Sequence, residues 1–378
     1  MTSAQPPRPV LTPAPEFTAD LTTSLRTLPP APGASASSST GTSTSSTASA
    51  PSTRWRLVDS LRGFALAGIL VVNIPDIARL GYELLYVERI ASVSATVLQF
   101  TVQTRFVPIF VFLFGLSLFL VMQGALRRSA GRRGPAAVAL VLRLAALLVI
   151  GMLHSLLYPG EVLREYAVVG LVLIPVVLFA PRWLTLGLGL ALTLVAYGLY
   201  GGGLPALPGL MLLGSAAAAY ELPRILERGG RAVMITFLVA ALATAPALLW
   251  QTTQPGDPRF TTAGGVAGLV MAVLYVTALS MLWKTGARRI IAGVFEPLGR
   301  MALTNYVAAS IVVVIVALFV DFTHMVTPLP AIALGGAIIA VQSVLSRVWL
   351  SHFAYGPVEW VWRMVTWRQS IPIRGGVL

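Results

Sequence analysis

Of the three histidines in this chain of 378 residues, His154 is the one whose surroundings fit chemistry. It stands near the end of an apolar run, seven residues before Glu161, with Pro159 and Gly160 between them. Imidazole changes charge near neutral pH, and a carboxylate that orients the ring and stabilises its charged form makes it a general base. The plainer assignment is a satisfied interfacial histidine beside a glutamate that favours a helix amino terminus. Residue types alone leave both open.

Other polar residues interrupt apolar runs, where each is costly and so a functional candidate. Asn73, Asp76, Arg105, Arg164, Glu165, Tyr166, Asp321 and His324 fall at the same ends of these runs as His154. Asp59, Arg62, Arg143, Glu296, Arg300, Asn305, Gln342, Arg347, Glu359 and Arg363 fall at the opposite ends. Asp59 and Arg62 stand three apart at the start of the first run. They fit an N-cap with a charged anchor, a buried ion pair, or an arginine facing a phosphate-bearing donor. Trp360, Trp362 and Trp367 read as an interfacial aromatic belt.

Several chemistries are excluded. The chain has no cysteine, so it has no disulfide, thiolate nucleophile or Cys-ligated metal. It has no Walker-type phosphate loop and no His-Glu-x-x-His pair, and three scattered histidines make a poor zinc site. No bound cofactor is expected.

The elements that must position these residues are hydrophobic. The chain is 56% hydrophobic and 11% charged, where soluble domains carry about a quarter charged residues. We expect an all-α polytopic integral membrane bundle of about ten spans, at 57–77, 106–122, 136–157, 162–180, 184–199, 204–220, 232–250, 263–283, 302–320 and 329–350. Breaks at Pro159-Gly160, Pro181, Gly201 to Gly203, Pro255-Gly256 and Pro328 set the boundaries. Residues 90–104 read as an amphipathic approach helix. Residues 1–52, rich in Ser, Thr, Ala and Pro, read as a disordered tail with no signal peptide. The membrane domain then covers 53–368, and 369–378 form a short tail.

The net charge of +13 shows no basic stripe interleaved with aromatics, so no nucleic-acid partner is expected. Eighteen basic residues fall in one set of connections, including Arg127, Arg128, Arg132, Arg133, Lys284, Arg288 and Arg289. Five fall in the alternate set: Arg79, Arg89, Arg105, Arg164 and Arg259. The richer side is cytoplasmic by the positive-inside rule, which places both termini in the cytoplasm. Membrane lipids are the expected partners, and the sequence leaves a homo-oligomer open.

The segment Arg56-Leu-Val-Asp59-Ser-Leu-Arg62-Gly63, continuing to Gly68 and Asn73, resembles the opening of the YeiB-like bacterial membrane proteins, a family with a domain of unknown function. Four further stretches resemble that family's motifs: Phe110 to Gly115, Arg143 through His154 to Tyr166, Pro297 to Tyr306, and Tyr355 to Arg363. The resemblance places the chain in a bacterial plasma membrane. More distantly, the family is similar to transmembrane acyltransferases, which share the Asp-x-x-Arg-Gly opening. That resemblance implies acyl transfer from a cytoplasmic acyl-CoA or similar thioester, used as co-substrate, to an acceptor reached through the membrane. The O-acyltransferases place a histidine near the end of the first span, where this chain has Asn73, so the role falls to His154. Glu161 would orient it, and Arg62 and Arg143 would steer donor phosphates. Asp59, Asn73, Arg105, Tyr166 and Asn305 complete the expected substrate-binding set. A transporter of lipids or small metabolites is the rival expectation, with buried Arg and Asp residues lining a path.

Overall fold

The computed structural model describes residues 55–84 and 92–374. The tail expected at 1–52 lies outside them, as do Arg54, Arg89 and the first residues of the expected approach helix.

Every regular element among the described residues is helical. The chain runs α1 (Arg56–Ile77), α2 (Val93–Thr101), α3 (Phe106–Arg128), α4 (Arg133–His154), α5 (Leu163–Phe179), α6 (Arg182–Tyr200) and α7 (Leu207–Ala219). It continues with α8 (Leu222–Arg228), α9 (Arg231–Thr253), α10 (Thr262–Leu282), α11 (Arg288–Arg300), α12 (Ala302–Ala317), α13 (Leu329–His352) and α14 (Pro357–Trp367).

The apolar surface is turned outwards as well as inwards. Leu242 is 80% exposed and Phe319 is 84% exposed, which water would penalise and lipid does not. The helices are not equivalent: 61% of the apolar window of α1 is buried, against 17% for α9. The first helix is therefore the central post, and α9 lies at the rim. Helix α11 crosses α1 closely because both present glycine at the contact. A Cβ on Gly299 would strike the Asp59 carbonyl, and one on Gly63 would strike the Phe295 carbonyl. Small residues at a crossing allow close backbone approach, which is what holds helices together where lipid is as apolar as leucine.

Helix starts leave unpaired backbone N–H groups, and three glutamates from neighbouring segments satisfy them. Glu227 of α8 accepts from Leu57 N at 3.1 Å. Glu359 of α14 accepts from Leu303 N at 2.7 Å and from Thr304 N at 3.0 Å at the start of α12. Glu161 accepts from Leu163 N at the start of α5. Each also places negative charge at the positive end of a helix dipole.

Among the described residues, seven helices are long and apolar enough to cross a membrane, or eight if α11 and α12, bent by 84°, count as one span. The expected ten included 162–180 and 204–220. These correspond to α5, with 17 residues, and to the shorter apolar stretch Leu204–Ala219. At 1.5 Å per residue α5 rises only about 26 Å, short of a hydrocarbon core of about 30 Å. One local expectation is corrected. Trp55, not Asp59, is the N-cap of α1, because helical geometry begins at Arg56. The tryptophans of α14 are half-buried and bond to protein: Trp362 Nε1 donates to the Arg143 carbonyl at 2.6 Å, Trp360 Nε1 donates to the Ile371 carbonyl at 2.7 Å, and Arg128 stacks on Trp367.

Candidate active site

Helix α4 ends at His154, and Pro159 and Gly160 turn the chain into α5 within eight residues. Leu157 N and Tyr158 N both bond back to the His154 carbonyl, closing the corner. The turn lays Glu161 against the ring: His154 Nδ1 pairs with Glu161 Oε2, while Glu161 Oε1 takes the Leu163 N–H. One carboxylate therefore both caps α5 and holds the imidazole. Each side chain is 1% exposed.

A carboxylate facing Nδ1 fixes that nitrogen as the protonated one and leaves Nε2 with its lone pair. Nε2 is buried and has no hydrogen-bond partner among the described residues. The ring of Tyr306, from α12, lies 5.1 Å from the imidazole, centroid to centroid. The hydroxyls of Tyr306 and Tyr166 and Glu165 Oε2 are likewise buried and unpartnered among the described residues. Tyr306 lies within electrostatic range of Tyr158, Tyr166 and Glu165. Buried polar groups are normally satisfied, so four orphans in one neighbourhood mark a place prepared for something polar. In the corner itself, burial, reinforced by Asp76, pushes the Tyr158 hydroxyl up to about 12, so it stays neutral.

The other candidates divide. Asn73 and Asn305 both reach a water-sized cavity of about 10 Å³ that Tyr306 also lines, with Leu66 and Leu70 from the middle of α1. Asn305 is also a pin: its side chain donates to Ser346 Oγ at 2.9 Å and to the Leu298 carbonyl at 3.3 Å. Tyr166 packs on Phe110 and Phe114. Arg62 pairs with Asp59 at 3.0 Å within α1, and its bond to Ser117 at 2.8 Å ties α1 to α3. Arg143 stacks on Trp362 at 3.5 Å.

Arg105 stands apart from the dyad. It is fully buried and donates to Gln251 Oε1 at 2.7 Å, the Gln103 carbonyl at 2.6 Å and Thr104 Oγ1 at 2.7 Å, which clamps α3 against α9. Arg259, in the turn between α9 and α10, bonds Asp76 at 2.6 Å and Asp257 at 2.7 Å. Burial opposes its charge, but the two carboxylates more than offset this and hold its guanidinium above the ordinary value. Sequence reasoning missed Tyr306 as a neighbour of His154. No local pattern encodes a contact between helices so far apart in the chain. Among the described residues no group of three His, Asp or Glu side chains could hold a metal ion.

Residues 214–369 match the family model described as "Protein of unknown function (DUF418)". The chain is 31% identical to an uncharacterized 39.9 kDa protein in the amylase 3′ region of Bacillus acidopullulyticus, over 84% of this chain and 94% of that protein. It is 27% identical to the uncharacterized protein YxaH of Bacillus subtilis (strain 168), covering 84% and 95% of the two chains. It is 26% identical to the uncharacterized protein YeiB of Escherichia coli (strain K12), covering 83% and 97%. With its helical membrane bundle and likeness along nearly the full length of these relatives, the chain belongs to the DUF418 family, the one that includes YeiB.

Proposed function

We propose that the protein is a membrane-embedded acyltransferase of the bacterial plasma membrane, with both termini in the cytoplasm, and that His154 is its general base. One observation carries the reading: a buried imidazole held at Nδ1 by Glu161, with Nε2 unpartnered among the described residues and the Tyr306 ring 5.1 Å from the imidazole. Nε2 takes the proton of an acceptor hydroxyl or amine as that oxygen or nitrogen bonds to the acyl carbon. The thioester C–S bond breaks, and the thiolate leaves as thiol with the proton the imidazolium returns. Glu161 stabilises the imidazolium between these steps. In this reading the Tyr306 and Tyr166 hydroxyls donate to the developing oxyanion. The dyad is shut from solvent in this conformation, so the corner at 155–162 must open to admit substrate.

A second reading, transport of a lipid or small metabolite, is favoured by the 84° break between α11 and α12, since broken helices build midplane binding sites in transporters. Thermal stabilisation separates the two. A ligand that binds only the native state raises the apparent melting temperature. Acyl-CoA should do so for the detergent-purified protein. No shift with any acyl-CoA, together with ion-gradient-driven flux in liposomes, would favour transport.

A further inference from the structure

At the end of the bundle where α1 begins and α13 closes, an open cleft of about 660 Å³ has walls of arginine. Arg56 enters from α1, Arg288, Arg289 and Arg300 from α11, and Arg347 from α13. Five arginines line the cleft together with one glutamate, Glu296, which Arg56 engages at 2.9 Å. Basic side chains therefore outnumber acidic ones among the residues that line the cleft. The positive-inside rule explains why arginines lie at this end of the bundle. It does not explain why three helices aim them into one concavity, where like charges repel. The basic loop between α3 and α4 is arranged otherwise. There Arg128 and Arg133 stack on Trp367 and Phe179, and Arg132 bonds the Ser129 carbonyl.

We propose that this cleft is a binding site for a phosphate-bearing anion, either a soluble phosphoanhydride or a phospholipid headgroup. The guanidinium fork matches phosphate oxygens in pairs, and several forks around one void suit a ligand with several such faces. The volume falls within the range of small-molecule pockets. Ala292, Gly293, Pro297 and Leu350 give the cleft an apolar floor against which the rest of the ligand can lie. The position of Arg347 is fixed by its bond to the Gly293 carbonyl at 2.5 Å, so one fork is set before the ligand arrives. The site rests on the cleft alone and stands whether or not the dyad transfers acyl groups.

The test is titration calorimetry on the full chain in detergent with inorganic pyrophosphate, ADP, and mixed micelles of phosphatidic acid in phosphatidylcholine. Saturable binding of at least one phosphate probe is expected. Arg289→Gln and Arg347→Gln should each weaken it by about tenfold or more, while Arg132→Gln, outside the cleft, leaves it within about twofold. Pyrophosphate or ADP binding would identify a soluble ligand, and binding of phosphatidic acid alone would identify a headgroup. Unchanged melting temperatures would show that the variants remain folded. Absence of saturable binding by all three probes would overturn the proposal. So would equal loss in Arg132→Gln, because general surface charge would then account for the signal.

Discussion

Glu161 makes two bonds, and a single substitution can separate them. In Glu161→Gln the amide oxygen can still accept from Leu163 N, so the start of α5 keeps its cap. The amide NH₂ would face Nδ1 as a donor, which moves the ring proton to Nε2 and removes the base. We expect turnover to fall by about 10²- to 10⁴-fold with little loss of thermal stability. A variant that loses stability and activity together would make Glu161 a structural residue only. Glu359 gives a pH signature at the same scale. Burial holds its carboxyl above the usual range, although hydrogen bonds from Thr304 and Leu303 pull the other way. A raised folded value means that its stabilising contribution is full below the unfolded value of about 4.3 and is lost as pH rises through the folded one. Relative to Glu359→Gln, the wild-type melting temperature should therefore fall as pH rises from about 4 to 8. Parallel profiles would contradict this. The partnership of His154 with Glu161 was legible because a Pro-Gly break forces two helix ends together. The place of Tyr306 and the capping role of Glu359 depend on packing between helices distant in sequence, which no local spacing records.

At the scale of elements, hydropathy located the helices well because lipid demands long apolar runs with satisfied backbones. The expected first span at 57–77 is α1, and the expected last span at 329–350 is α13. The number of crossings was harder to read, because an apolar run does not reveal where a helix bends. The run at 302–320 forms α12, which meets α11 at 84° rather than continuing it. The motif glycines now have a physical account. Gly63 and Gly299 are the contact where α1 and α11 cross, and neither has room for a Cβ. Gly299→Val should overpack that crossing and cost about 1–3 kcal/mol, read as a lower apparent melting temperature. A melting temperature equal to wild type would show that the helices can separate without penalty.

For the molecule as a whole, the arginine asymmetry predicts sidedness. A reporter fused after Leu378, or inserted between Arg128 and Arg132, should read cytoplasmic, and one near Asp257 should read external. An external signal at Arg132 would invert the arrangement. Sidedness matters for the proposed chemistry because a thioester donor comes from the cytoplasm, whereas the dyad lies at the ends of α4 and α5 opposite the basic loop that begins α4. The most direct test is to follow label from acyl-labelled CoA into membrane or acceptor fractions, using purified protein in nanodiscs. Wild type is predicted to transfer label and release thiol in equal amounts, and folded His154→Gln to transfer it at least about 10²-fold more slowly. Transfer by His154→Gln at the wild-type rate would contradict the assignment of His154 as the base.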